Sequence, residues 1–142
     1  MIRLFLVLAI ILDLVSVSSA NAEEMLIIAN LSVDLEASLT PRQIESIYLL
    51  RMTVWPNGDH IIPVNREITS EIRAEFTSAV LQQDNASLVA YWNEMHFQGK
   101  LPPLVQESES ALLAFVQKVP GAIGYISAST PAIGVRVLSH VP

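Results

Sequence analysis

Arg66, Thr69, Ser70 and Arg73 fall close together in the segment VNREITSEIRAEF, Val64 to Phe76. Guanidinium groups present pairs of N–H donors to a planar or tetrahedral oxyanion, and hydroxyls add single donors. Ile72, Phe76, Ala79 and Val80 recur at helical spacing, which predicts a helix that opens after Thr69 or Ser70 and runs to about Leu81. A helix N-terminus adds unpaired amides and the positive end of a macrodipole. The expected ligand-binding set is therefore Arg66, Thr69, Ser70 and Arg73, the last three residues beyond Ser70 on the same helix face.

The same stretch carries opposing charge at Glu67 and Glu71. A carboxylate roughly 4 Å from a bound anion costs about 1–4 kcal/mol for dielectrics between those of water and a protein surface, against about 0.3–1 kcal/mol from the dipole. If Glu71 points into the site it outweighs the dipole and takes up Arg66 or Arg73. If it points outward it is a favourable first-turn acid. Thr69 and Ser70 also serve as ordinary N-caps, and Arg66 as a surface ion pair.

Other chemistries find less support. His60, His96 and His140 show no metal-ligand spacing, and no metal or other cofactor is expected. No G-x-S-x-G turn or glycine-rich oxyanion loop is present, so an enzyme is not expected. The glycines of GAIGY lack a P-loop lysine and read as close packing of a strand. Trp55 and Trp92 read as packing residues.

The elements that must position the arginines and hydroxyls follow from local signals. Met25 to Ala29 is an apolar run, read as a buried strand. Thr40, Pro41 and Gln43 start a helix with a capping box, and Ile44, Ile47 and Tyr48 share its inner face. WPNGDH is a turn, and Ile61 to Val64 a strand whose Pro63 demands an edge or a bulge. Asp84 or Asn85 opens a helix with Leu88, Tyr91, Trp92 and Met95 inside, ending at Gly99. An extended piece lies near Val105, and Ser108 caps a helix carrying Leu112, Leu113 and Val116. AIGYIS is a strand, and GVRVLS a second with Val135 and Val137 on one side. The order of strands and helices predicts a three-layer α/β domain.

Residues 1–22 have Arg3, an apolar run from Leu4 to Leu12 and an Ala-Asn-Ala end, the pattern of a secretory signal peptide or, uncleaved, of an N-terminal anchor. Cleavage leaves a single domain over residues 23–142, without a membrane span. The 142-residue chain carries 8 basic and 14 acidic residues, a formal charge of −6, and no cysteine. Such acidity disfavours nucleic acid as a partner, and the lack of cysteine excludes a disulfide scaffold and thiolate chemistry. Export without disulfides points to a bacterial envelope, in the periplasm.

Three stretches in fixed order, IESIYLLRMTVWPNG, IIPVNREITSEIRAEF and VPGAIGYIS, resemble the phosphate-binding proteins of ABC transporters over roughly Leu26 to Ile126. The resemblance implies one α/β/α lobe of the two-lobed type II periplasmic-binding-protein fold, as in short single-lobe phosphate-binding-protein-like periplasmic proteins. It implies that Arg66 pairs with phosphate and that Ser70 and nearby backbone amides donate to it. Ile68 stands in the place of the family's acid, Thr69 and Glu71 in the places of its glycines, and Ile72 in that of its threonine. Leu50 and Arg51 replace a glycine and a lysine. The expected function is weak binding of phosphate or a similar oxyanion such as sulfate, linked to phosphate transport or sensing. The alternative is an interaction module without ligand that meets another envelope protein.

Overall fold

The computed structural model describes residues 23–142, and the leader reading of residues 1–22 lies outside them. Five strands form one mixed sheet: β1 (Met25–Ala29), β2 (Ile62–Arg66), β3 (Leu104–Gln106), β4 (Ala122–Ser127) and β5 (Arg136–Val141), in the spatial order β3-β2-β4-β1-β5. β2 runs parallel to β3 and β4, whereas β1 is antiparallel to β4 and β5. Four α-helices join them: α1 (Pro41–Tyr48), α2 (Glu71–Phe76), α3 (Asn85–Phe97) and α4 (Glu109–Lys118).

Strand alternation builds two cores. Met25, Ile27, Ala29, Ile123 and Tyr125 face α1, α2 and the start of α3, where Ile44, Tyr48, Phe76 and Leu88 meet them. Leu26, Ile28, Ala122 and Ile126 face the opposite way and pack with Leu112 and Val116 of α4. Helices on both faces of one sheet make the expected three layers. Gly124 lets α4 approach: a Cβ there would come within 2.7 Å of Leu112 Cδ2. Close packing of a strand is thus the role of that glycine, as its sequence pattern indicated.

Local capping fixes the helix starts. Thr40 and Gln43 form the capping box of α1, Asp84 caps α3 through the Ser87 amide, and Ser108 caps α4 through the Ala111 amide. At α2 the cap is Ser70, whose Oγ accepts from the Arg73 amide at 3.4 Å.

Two expectations need correction, and two gain detail. The helix expected to run to Leu81 is α2 followed by a π turn, Thr77–Leu81. The wider turn rotates Thr77 and Leu81 inward beside Val80, and leaves Ala79 exposed. Pro63 needs no sheet edge. β2 lies between β3 and β4, and its ladder with β3 starts only at Val64. The Ile62 amide faces β4, donating to Gly121 O at 3.0 Å, so Pro63 turns its missing donor to the other side, beyond the end of β3. The extended piece at Val105 is a sheet member, β3. Of Val135 and Val137, expected on one side of the last strand, only Val137 falls within β5. A register shift opposite Ile27 and Ile28 breaks the alternation of β5, burying Leu138 and Val141 while Val137 stays exposed.

Leu50 closes α1 with φ +57, a left-handed conformation. It lies where the resembling family carries glycine, so the backbone keeps a glycine-type turn under a leucine side chain.

Candidate functional site

β2 and the turn into α2 bring Arg66 and Ser70 to the carboxyl end of the parallel strands, where both line a hollow of about 330 Å³. Tyr125 of the neighbouring β4 holds the end of β2 in place. Its hydroxyl accepts from the Arg66 amide at 3.1 Å and donates to Oδ1 of buried Asn65. Phe76 stacks on the Tyr125 ring with centroids 4.0 Å apart. Burial pushes the Tyr125 hydroxyl up to about 12, and burial likewise raises that of Tyr48, whose hydroxyl donates to Val64 O at 2.9 Å. Both rings are therefore neutral hydrogen-bonding supports at physiological pH.

The guanidinium of Arg66 is clasped by its own neighbour. Nε donates to Glu67 Oε2 at 2.9 Å and Nη2 to Glu67 Oε1 at 3.0 Å. This two-pronged pair, with the Arg66 side chain 13% exposed, raises the arginine further above its ordinary range and holds the Glu67 carboxyl below the usual one.

Further donors of the hollow also meet carboxylates. Glu109, in the first turn of α4, accepts from the Ser127 amide and from Thr130 Oγ1, the latter at 2.8 Å. Glu23 accepts from the hydroxyls of Ser127 and Ser129. Glu71 is exposed at the rim of the same hollow. Three carboxylates thus surround one arginine that already has a partner.

The four expected residues do not converge. Arg66 and Ser70 share the hollow. Thr69 is exposed and makes no side-chain hydrogen bond among the described residues. Arg73 turns to the other side of the β2–α2 turn, donates through Nη1 to Arg66 O, and lines a separate apolar cleft. Glu71 leaves both arginines alone; Glu67 is the acid that engages Arg66. The sequence reading counted Glu67 as opposing charge but assigned it no partner, and it passed over Glu23 and Glu109. Ser127 and Ser129, one strand-end apart, were the signal that more donors gather here.

The remaining polar candidates are structural or exposed. The buried Trp55 donates through Nε1 to Gly121 O at 3.0 Å, which makes it a packing residue. His60, His96 and His140 are exposed, and the described residues contain no group of three or more His, Cys, Asp or Glu able to hold a metal. No helix among them is long and apolar enough to cross a membrane.

No protein-family model and no curated protein matches the chain. Solved structures do. An ABC-type phosphate transport receptor from Vibrio cholerae is similar with a TM-score of 0.65 and 22% identity, over 82% of this chain and 45% of that one. A phosphate ABC transporter substrate-binding protein with bound phosphate from Clostridium perfringens gives 0.62 and 23%, over 82% and 44%. PstS from Borrelia burgdorferi gives 0.64 and 15%, over 82% and 47%. The chain therefore shares the fold of part of these proteins, one α/β/α lobe of the type II periplasmic-binding-protein kind, and spans a little under half their length.

Proposed function

We propose that the chain is a periplasmic solute-binding-like protein, linked to phosphate transport or sensing, whose oxyanion site is weak by construction. It acts by binding and not by catalysis. Its ligand contacts are Arg66 and Ser70, which line the hollow. The carrying observation is the Glu67 clasp on Arg66, an arginine that lines a hollow also holding Glu23, Glu71 and Glu109. The Arg66 guanidinium keeps N–H donors that Glu67 does not use, so an oxyanion has a contact point. It must approach against three further carboxylates, each costing about 1–4 kcal/mol if held roughly 4 Å away. That leaves affinity near the millimolar level, about −4 kcal/mol.

Calorimetric titration of the protein with phosphate and with sulfate tests this. Millimolar binding that Arg66→Ala abolishes and Glu109→Gln tightens is expected. Micromolar binding by the unmodified protein would overturn the weak-site reading.

A second reading, an interaction module without solute, draws on the free edge of the sheet. Leu101, Leu104 and Val105 at β3 are 68%, 54% and 52% exposed. An apolar strand edge of this kind invites pairing with a partner chain. Absence of any anion-dependent heat, unchanged by Arg66→Ala, selects that reading.

A further inference from the structure

A second cleft, of about 510 Å³, opens between α3, the β2–α2 turn and the loop that leads into β3. Its size lies within the roughly 300–1,000 Å³ usual for small-molecule sites. Tyr48 and Leu49 form its floor, and Leu88, Val89 and Trp92 of α3 form one wall. Val89 is 57% exposed although apolar. Such a lining suits a compact hydrophobic body.

One cation faces this apolar lining. The Arg73 guanidinium makes a single hydrogen bond among the described residues, from Nη1 to Arg66 O, and has no carboxylate within 4 Å there. Of its five N–H donors, the others are uncommitted. Glu67 also borders the cleft, but its charge is matched by Arg66 at 2.9 Å. The local sum over Arg66, Glu67 and Arg73 is one positive charge beside an apolar wall. Asn85 and Asn93 at the rim supply neutral polar contacts.

We propose that this cleft binds a small amphipathic carboxylate, an aromatic or branched-chain acid, with its carboxylate on Arg73 and its apolar body against Leu88, Val89 and Trp92. This site is separate from the Arg66 hollow and goes beyond the oxyanion reading. An inorganic anion leaves the apolar wall unused, and a neutral hydrocarbon leaves the guanidinium desolvated without a partner.

Phenylacetate and its neutral counterpart phenylacetamide, titrated into the protein by calorimetry with tryptophan fluorescence in parallel, test the proposal. The acid is expected to bind at one saturable site, about tenfold or more tighter than the amide, the ratio a charge-assisted hydrogen bond supplies. Arg73→Gln should erase that preference. Val89→Glu, on an exposed wall position, should weaken the acid while leaving folding and any phosphate binding unchanged. Excess phosphate should not displace phenylacetate, which separates this site from the Arg66 hollow. Equal binding of acid and amide, full binding by Val89→Glu, or no saturable binding of phenylacetate would each overturn the proposal.

Discussion

Replacing Tyr125 by Phe removes one oxygen from the support of Arg66 and keeps the ring. The stack on Phe76 survives, so the loss is confined to two hydrogen bonds: the Arg66 amide at 3.1 Å loses its acceptor, and Asn65 Oδ1 loses its donor. Asn65 is 5% exposed, so water does not readily replace the hydroxyl. At about 1–3 kcal/mol for each buried group left unpaired, the expected cost near pH 8 is about 2–6 kcal/mol. The cost should shrink in alkali. Folded Tyr125 keeps its proton up to about pH 12, whereas an unfolded tyrosine ionises near pH 10. Between those values the unfolded state binds fewer protons, so wild-type stability falls as pH rises, by about 1.4 kcal/mol per pH unit. The Phe variant never held that contribution. Burial, the larger cause of the Tyr48 rise, is common to both proteins and cancels in the comparison, while the smaller charge effect of Tyr125 on Tyr48 is lost in the Phe variant. Urea unfolding followed by circular dichroism at pH 8 and pH 11 should therefore show the gap between the two proteins narrowing by about 1.4 kcal/mol. A gap below about 0.5 kcal/mol at pH 8, or one that does not change with pH, would refute the assignment of the hydroxyl as a buried, doubly bonded support.

Leu50→Gly should stabilise the protein by about 0.5–1 kcal/mol in thermal or urea unfolding. Relief of left-handed strain is worth about 1–2 kcal/mol, and the freer unfolded chain returns about 0.4–1. Gly121→Ala should cost about 3 kcal/mol or more. Its φ is +78 and a Cβ would lie 2.2 Å from His60 O, so the alanine both strains the turn and pushes aside the Gly121 carbonyl that pairs with Ile62 and Trp55. Asn30→Asp should cost about 2–4 kcal/mol at pH 7. The Asn30 amide donates to Val116 O at 2.8 Å and Gln117 O at 3.0 Å, near the C-terminus of α4, where a carboxylate repels both carbonyls. The pKa of that buried carboxyl would rise, so the penalty should grow with pH and shrink near pH 3 to the loss of one of the two donated bonds, because a neutral carboxyl has a single O–H, as urea midpoints across that range would show.

The parts of the fold that were readable in the sequence are those set by neighbours in the chain. Thr40 with Gln43, Ser108 and the alternation in AIGYIS each carry their structural meaning within a few residues. Pro63 was misjudged because its consequence depends on where a distant strand begins, and no local pattern encodes the start of β3 at Leu104. The π turn was hidden because Thr77 to Leu81 fits the helical period well enough; the burial of Thr77 and Leu81 beside α1 depends on tertiary packing that the period does not encode. At the candidate site, the position of Ser70 as a cap followed from spacing. The partition of Arg66 and Arg73 into different hollows did not, because it turns on side-chain directions around one short turn. Glu109 and Glu23 reach Ser127 from far along the sequence, a meeting that the topology alone produces.

The pairing of Arg66 with the very next residue means that Glu67 acts as a tethered competitor. Its carboxylate is present at an effective concentration that dilution does not lower, of millimolar order or above for so short a link. Under the proposed oxyanion reading, a diffusing anion gains occupancy only as its bulk level nears that of the tether, so on that reading scarcity of the solute leaves no trace and only abundance registers. Because the competitor is a single side chain, exchanging Glu67 for a neutral residue would move that threshold without altering the scaffold around it.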